Sequence, residues 1–167
     1  RRQAAKRRPD EVERSRQKVL LPTPALARQV DEVARRTGAG LVLLDPAVPV
    51  GLIGPRLASP YGVVLHGAEV TVPGRLPGAR GLLARVLRGS SEVIAAGGYP
   101  AAEAERAARR SLPVTVVPPG VDVDRFRPLS ADERAAARRR LGLPVEGRLV
   151  VSLSRLVPRK GMDVLIE

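Results

Sequence analysis

The chain alternates between short, wholly apolar runs and longer amphipathic segments. In the segment 25–37, Leu26, Val30 and Val33 share one helical face, and charged side chains occupy the other positions. The run Leu41–Leu44 has no polar position, as expected of a strand that is buried on both faces. The first segment therefore predicts a helix, and the second predicts a strand.

The same two patterns recur along the chain. Strands that alternate with helices, each strand apolar throughout, indicate an α/β fold with a parallel sheet that is flanked by helices on both faces. The predicted strands are 41–44, 61–65, 93–96, 113–117 and 149–153, and the predicted helices are 25–37, 48–57, 77–89, 100–110, 132–141 and one that begins at 162.

The composition is strongly basic, with a formal net charge of +12 that comes almost entirely from arginine. Such a charge favours anionic partners, namely nucleotides, nucleic acid or lipid headgroups. Aromatic residues make up 2% of the chain, so stacking of single-stranded bases is not expected. Without cysteine, disulfides and thiolate chemistry are excluded. Neither a membrane-spanning run nor a secretory signal is recognisable, and we expect a cytoplasmic protein.

Ligands of parallel α/β sheets bind beyond the carboxyl ends of the strands, so the residues there are the first candidates. Asp45 follows the first strand and is interpreted as part of a turn. His66, the only histidine in the chain, follows the second strand and is a candidate catalytic residue or a structural one. Gly67 and Glu69 are candidate ligand contacts, although Glu69 also suits the first turn of a helix. Gly120 ends a Pro-Pro-Gly turn, can adopt positive φ and is a further candidate contact of the donor or acceptor.

The last predicted strand leads into a basic loop that carries Arg155 and Lys160 and then into a helix. Cations and backbone N–H groups at the start of a helix suit a phosphate-bearing ligand.

The predicted helix 77–89 is amphipathic and its charges are all basic. Such a helix suits an anionic membrane surface, but it equally suits a helix whose apolar face packs on the sheet. The predicted membrane-facing residues are Arg75, Arg80, Arg85 and Arg88. Two alternatives to catalysis stay open on charge alone: a peripheral membrane module, and a nucleic-acid-binding domain, for which no recognition motif is present.

Two motifs resemble a known family. The stretch PPGVDVDRFRP, residues 118–128, and VVSLSRLVPRKGMDVLIE, residues 150–167, together resemble the domain junction of family 4 glycosyltransferases of GT-B fold. The stretch VVLHGAEVTVPGRLPGARGLLARVLR, residues 63–88, is similar to actinobacterial mannosyltransferases of the phosphatidylinositol mannoside pathway.

The resemblance implies two Rossmann-like domains and a retaining transfer of a hexose from a nucleotide sugar, GDP-mannose in the nearest subgroup. The acceptor would be lipid-linked or a glycan, such as a phosphatidylinositol mannoside. Arg155 and Lys160 would bind the donor pyrophosphate and face His66, which would lie near the sugar, across an interdomain cleft. No metal or other cofactor is implied, and no nucleic acid is expected as partner. The family also implies peripheral contact with the inner face of the plasma membrane.

On this basis the chain divides into four parts. Residues 1–18 form a basic solvated tail or loop, for which a nucleic-acid-binding arm is the alternative. Residues 19–129 form a partial acceptor-side domain. Residues 130–147 connect it to the truncated start, at 148–167, of a nucleotide-sugar-binding domain.

The sequence departs from the family in several respects. Ala68 stands where the nearest subgroup often has a second histidine, which puts a similar acceptor in doubt. The glycine-rich loop and the pair of glutamates that the family uses are absent from these 167 residues. We therefore expect a fragment that is inactive on its own.

Overall fold

The structure is a computed structural model that describes residues 12–15, 17 and 19–166. Most of the predicted basic tail, residues 1–18, lies outside the described residues. The chain forms two compact units, Arg1–Gly120 and Val121–Glu167, which are described separately below.

Among its described residues, the first unit contains four strands, four helices and one 3-10 helix. The predicted strands and helices of this unit are confirmed to within a few residues. One helix, α2, was not predicted as an element of its own. The elements in chain order are α1 (Pro24–Thr37), β1 (Val42–Leu44), the 3-10 helix (Val50–Arg56), β2 (Tyr61–Leu65), α2 (Ala68–Arg75), α3 (Ala79–Gly89), β3 (Glu92–Ala95), α4 (Gly98–Ala108) and β4 (Val114–Val116).

The four strands form one parallel sheet in the order β1-β2-β3-β4. In the register, Leu44 lies beside Val63, and Val63 lies beside Val93. This confirms the α/β fold with a parallel sheet flanked by helices. Because all four strands run the same way, their carboxyl ends lie along one edge of the sheet, where the polar residues that follow them are brought together.

Burial in the sheet differs between the strands: it alternates along β3, whereas β2 is buried at four of its five positions. Val63 in β2 and Val93 in β3 are fully buried, whereas Val64 in β2 is only partly buried and Leu43 in β1 is 49% exposed. The buried side chains pack against Leu83, Val86 and Leu87 of α3 and against small residues of α4. The prediction that each strand is buried on both faces is therefore wrong for the outer strands β1 and β4, where Leu43 and Val116 are about half exposed.

Tyr61 ties β2 to the helical layer. Its ring is buried, and its hydroxyl donates a 2.8 Å hydrogen bond to the backbone oxygen of Val86 in α3. Gly54 of the 3-10 helix lies directly against the ring: a Cβ at this position would be 2.5 Å from Cε2 of Tyr61. The ring cannot move away without losing its buried hydrogen bond, so this position requires glycine.

The second unit contains α5 (Ala131–Arg140), a 3-10 helix (Pro158–Lys160) and the five-residue α6 (Met162–Ile166). The start of α5 is a capping box. The Ser130 side chain accepts from the Glu133 backbone N–H, and the Glu133 carboxylate accepts from the Ser130 backbone N–H.

The strand predicted at residues 149–153 is not formed, which corrects the expected first strand of a second sheet. Val150 is 79% exposed and Leu153 is 99% exposed. A strand needs a neighbour for its backbone hydrogen bonds, and the described part of this unit contains no strand that could pair with it. The apolar run has the composition of a strand, but these residues offer it no partner.

We expect Gly54→Ala to lower the free energy of unfolding by about 1–3 kcal/mol, because the added methyl group overlaps the Tyr61 ring. Urea unfolding of the chain measures this. Gly81→Ala is the matched control. Gly81 lies in α3, and a Cβ added to it would meet no atom within 4 Å, so alanine there should raise stability by about 0.5–1 kcal/mol. Wild-type stability for Gly54→Ala would contradict the contact.

Candidate functional site

Two side chains meet at the carboxyl edge of the sheet. Asp45 directly follows β1, and His66 directly follows β2. The Nε2 atom of His66 lies 3.1 Å from Oδ1 and 3.1 Å from Oδ2 of Asp45. Both side chains are about half exposed, at 56% for His66 and 52% for Asp45. The interpretation of Asp45 as a turn residue therefore missed its contact with the histidine.

Glu69 holds the backbone that carries the histidine. Its Oε1 atom accepts hydrogen bonds from the backbone N–H groups of His66 and of Gly67, the latter at 2.8 Å. Glu69 lies in the first turn of α2, where a carboxylate also stabilises the unpaired N–H groups and the helix dipole. Gly67 precedes the helix with φ 146°, a conformation that favours glycine. The structure shows Glu69 as the acid of a helix N-terminus, and its role as a ligand contact stays a prediction.

Folding raises the pKa of His66 and lowers the pKa of Glu69. The hydrogen bond from the ring to Asp45 and the charge of Asp45 raise the pKa of His66, with a smaller contribution from Glu69. Partial burial raises the pKa of Glu69, but the backbone N–H groups of Gly67, Glu69 and His66 outweigh it and bring that pKa below its usual range. At neutral pH Glu69 is therefore ionised, and the imidazolium form of His66 persists to higher pH than in an exposed histidine.

Two hydroxyl groups extend the site along the sheet edge. The Thr71 hydroxyl donates to the backbone oxygen of Gly67 at 3.1 Å and lies 3.3 Å from the hydroxyl of Tyr99 in α4. Tyr99 is 57% exposed. These residues and Asp45 were not among the sequence-predicted site residues. Asp45 was recoverable, because it follows a strand that is parallel to the strand preceding His66; the positions of Thr71 and Tyr99 depend on how α2 packs on α4.

Gly120 follows β4 by four residues and ends the first unit. It is exposed, no atom lies within 4 Å of a Cβ built on it, and its φ is not positive. The turn therefore does not use the positive φ that is open to glycine. Its role as a ligand contact stays a prediction.

Arg155 and Lys160 belong to the second unit and are both exposed. Lys160 ends the 3-10 helix, and Gly161 then turns the chain into α6 with φ 60°. The backbone N–H groups of Lys160 and Gly161 are taken up by Val157 and Pro158. The loop therefore offers two cationic side chains to solvent, and its binding of a pyrophosphate stays a prediction.

The four arginines predicted to face a membrane have different surroundings. Arg75 lies 3.6 Å from the carboxylate of the buried Glu103. The Nε–H of Arg88 donates to the backbone oxygen of Ala108 at 2.8 Å. Arg80 and Arg85 are exposed on α3. Arg75 and Arg88 thus hold α2 and α3 to α4, while Arg80 and Arg85 form no hydrogen bond or ion pair with the residues that the structure describes.

The apolar side of α3 is divided between the core and the surface. Leu83, Val86 and Leu87 are buried in the core, but Leu82 is 53% exposed. Leu82 therefore lies outside the buried part of this apolar side. Because the core occupies most of the apolar side, this conformation leaves that side unavailable to a membrane.

Within the described part of the chain, no three histidine, aspartate or glutamate side chains gather as a metal site would require. In the same residues no helix is both long and apolar enough to cross a membrane. The absence of a metal requirement stays a prediction from the family resemblance.

We expect Glu69→Gln to lower the free energy of unfolding by about 0.5–1 kcal/mol at pH 7, because the charge at the start of α2 is lost. The pKa of Glu69 is lowered by folding, so the ionised carboxylate stabilises the fold above the pKa of a free glutamate, about 4.3. That stabilisation is lost as the pH falls through the lower folded-state pKa. Urea unfolding between pH 7 and pH 3 should therefore show the two proteins converging, with Glu32→Gln as a surface control. A difference that persists at pH 3 would contradict this origin.

The chain is similar to known glycosyltransferases, and each match covers only part of the relative's length. The GDP-mannose-dependent alpha-(1-6)-phosphatidylinositol monomannoside mannosyltransferase of Mycolicibacterium smegmatis is 37% identical over 153 residues, which are 89% of this chain and 39% of that protein. A GDP-mannose-dependent monoacylated alpha-(1-6)-phosphatidylinositol monomannoside mannosyltransferase of Corynebacterium glutamicum is 32% identical over 161 residues, 94% of this chain and 42% of that protein. The D-inositol 3-phosphate glycosyltransferase of Streptomyces scabiei is 54% identical over 54 residues, 32% of this chain and 12% of that protein.

No protein-family model matches the sequence. The chain spans about two fifths of the length of the two mannosyltransferases. Over most of its own length it is nevertheless similar to both of them, and the parallel α/β sheet agrees with the fold that the motifs implied. These matches confirm the resemblance: the chain is a homologue of the family 4 glycosyltransferases of GT-B fold.

Proposed function

We propose that the protein carrying this chain is a retaining mannosyltransferase that moves mannose from GDP-mannose to a lipid-linked acceptor, such as a phosphatidylinositol mannoside. The observation that carries this proposal is the 37% identity, over 89% of the chain, to a mannosyltransferase that uses that donor and acts on phosphatidylinositol monomannoside. The chain alone is expected to be inactive, in line with the features of the family that its sequence lacks.

Two exposed cations of the second unit favour a donor that carries a diphosphate. Arg155 and Lys160 are exposed, and no carboxylate of the described residues lies in a salt bridge with either. When the bond between the sugar and the diphosphate breaks, negative charge develops on the leaving oxygen. Fixed cations that are not already neutralised stabilise that charge more in the transition state than in the ground state. The two side chains are proposed to do this.

Side chains of the first unit favour a sugar-binding site at the carboxyl edge of its sheet. His66 presents a half-exposed ring whose orientation is limited by Asp45 and whose backbone is held by Glu69. Tyr99, whose hydroxyl lies 3.3 Å from the Thr71 hydroxyl, adds a further polar group to this edge. Imidazole, carboxylate and hydroxyl groups are the hydrogen-bonding groups that recognise sugar hydroxyls. His66 is therefore proposed to contact the mannose or the acceptor, as the resemblance implies.

An inositol phosphate is a second candidate acceptor. The observation that favours it is the higher identity, 54% over 54 residues, to a D-inositol 3-phosphate glycosyltransferase. Ala68, where the mannosyltransferase subgroup often has a histidine, also weakens the case for an identical acceptor. The two acceptors differ in whether they carry lipid, so a single assay with both distinguishes them.

We expect the whole protein to transfer labelled mannose from GDP-mannose to phosphatidylinositol mannoside, and Arg155→Ala to lower kcat roughly 100-fold because a cation at the leaving group is removed. Arg148→Ala is the control, since Arg148 is an exposed arginine of the same unit and the charge change is the same. Product is counted in parallel reactions that contain phosphatidylinositol mannoside or inositol 3-phosphate.

Transfer to inositol 3-phosphate alone would replace the acceptor and keep the enzyme class. Equal rates for Arg155→Ala and Arg148→Ala would contradict the role of Arg155. Absence of transfer to both acceptors would contradict the proposed function.

Membrane contact is a second proposal, which would place the protein on the inner face of the plasma membrane. The observation that favours it is exposure: Val72, Leu76 and Leu82 leave apolar side chains in solvent, and Arg80 and Arg85 of α3 are exposed cations. Exposed apolar and cationic groups can contact an anionic membrane without withdrawing the buried side of α3 from the core. It differs from the helix insertion considered from the sequence, which would have used the buried residues.

We expect the chain to co-sediment with vesicles that contain anionic lipid, and Arg80→Gln with Arg85→Gln to weaken that binding roughly 30-fold, at about 1 kcal/mol per arginine. Arg88 is left unchanged because it binds the backbone of α4. The control, Arg139→Gln with Arg140→Gln, has the same net charge but changes exposed positions of α5. An equal loss in both double variants would indicate attraction by net charge alone and would contradict a docking surface on α3.

A further inference from the structure

The contact between Asp45 and His66 involves one nitrogen of the ring. Both carboxylate oxygens lie 3.1 Å from Nε2, and among the described residues the hydrogen bonds of the ring all run through that atom. An ionised carboxylate can only accept hydrogen bonds, so the hydrogen must be on Nε2 whether the imidazole is neutral or charged. The atom left for a ligand is therefore Nδ1.

The backbone geometry fixes this contact from two sides. Asp45 and His66 directly follow neighbouring parallel strands, and the pairing of Leu44 with Val63 sets their separation. Glu69 binds the backbone N–H of His66 and so holds the main chain from which the ring projects. The carboxylate of Glu69 thus fixes the main chain of His66, and the carboxylate of Asp45 fixes the rotation of its ring.

The contact between Asp45 and His66 contributes little to the stability of the fold. Both side chains are about half exposed, and ion pairs in that setting contribute little to folding because water screens them. Orientation of the ring is a different matter, since groups that hold a reacting or binding side chain in one rotamer act even when they add little to stability.

We propose that Asp45 is a positioning residue that holds the Nε2–H of His66 and thereby presents Nδ1 to the ligand. That the ligand is a sugar rests on the proposed function, whereas the holding of the ring does not. Nδ1 then accepts a hydrogen bond from a sugar hydroxyl when the imidazole is neutral and donates one when it is charged.

The charged groups that act on His66 are Asp45, at the end of β1, and Glu69, in α2. Asp45 has the larger effect, and both raise the pKa of His66. Removing the charge of Asp45 should consequently lower this pKa, and it should also relax the preference for hydrogen on Nε2.

Nuclear magnetic resonance of the ring tests this on the chain itself, because His66 is its only histidine and gives one set of imidazole signals. We expect the titration midpoint of His66 to fall in Asp45→Asn. We also expect ¹⁵N spectra above that midpoint to show hydrogen on Nε2 in the wild type, with a larger share on Nδ1 in the variant. Glu32→Gln, which removes an exposed carboxylate of α1, should leave both unchanged.

Two results would overturn the proposal. One is a titration midpoint in Asp45→Asn that equals that of the wild type and of Glu32→Gln. The other, which needs no variant, is a wild-type ring with hydrogen on Nδ1. Circular dichroism of the variants confirms that the fold is retained, and the wild-type measurement decides the question if Asp45→Asn does not fold.

Kinetics of the whole protein then test the consequence for the ligand. We expect Asp45→Asn to lower kcat for mannose transfer roughly 10- to 100-fold through misplacement of the ring, and to move the limb of the pH–rate profile that belongs to His66 to lower pH. An altered ring in the magnetic resonance spectra together with unchanged kinetics would contradict the presentation of Nδ1 to the sugar. If the wild-type protein transfers no mannose, the proposed function fails, and the spectra still decide whether Asp45 holds the ring.

Discussion

The parallel pairing of β1 with β2 is the constraint on which the candidate site depends. β2 is held in place by the burial of Val63 and Leu65 and by the hydrogen bond of Tyr61 to α3. Because β1 pairs with β2 in one register, the residues that follow the two strands are adjacent, although they are separated by 21 positions in the sequence. A shift of one residue would turn the side chains to the other face of the sheet and separate them. The contact of Asp45 with His66 thus depends on the packing that fixes β2 and on the register of β1 beside it.

Much of the first unit could be predicted from the sequence, because its strands are apolar runs and its helices have a clear apolar side. Two misses have physical causes. α2 lacks a helical pattern of apolar residues, contains Pro73, and begins through Gly67 and Glu69 rather than through a serine or threonine cap. The strand expected at 149–153 has suitable residues but no partner among the described residues, and strand formation depends on the neighbour as much as on the residue.

The location of the candidate site could be proposed from the sequence, but its contacts could not. The position of His66 after a buried strand identified it, and the strand-end rule for parallel sheets applied equally to Asp45. The sequence could not reveal which nitrogen of the ring Asp45 binds, because that depends on side-chain rotamers. It also could not show that Arg75 and Arg88 are engaged with α4, since both positions read simply as basic surface. The result is a ring whose Nε2 is hydrogen-bonded to Asp45 and whose Nδ1 is available, on a backbone that is held by Oε1 of Glu69.

We propose that a sugar binds at the carboxyl edge of this sheet against His66. A crystal structure of the whole protein with GDP-mannose would show whether it does. We expect a hydroxyl of the mannose within hydrogen-bond distance of Nδ1, about 2.7–3.2 Å, while Nε2 keeps its contact with Asp45. A bound mannose that lies away from His66, with the ring still facing solvent, would contradict it.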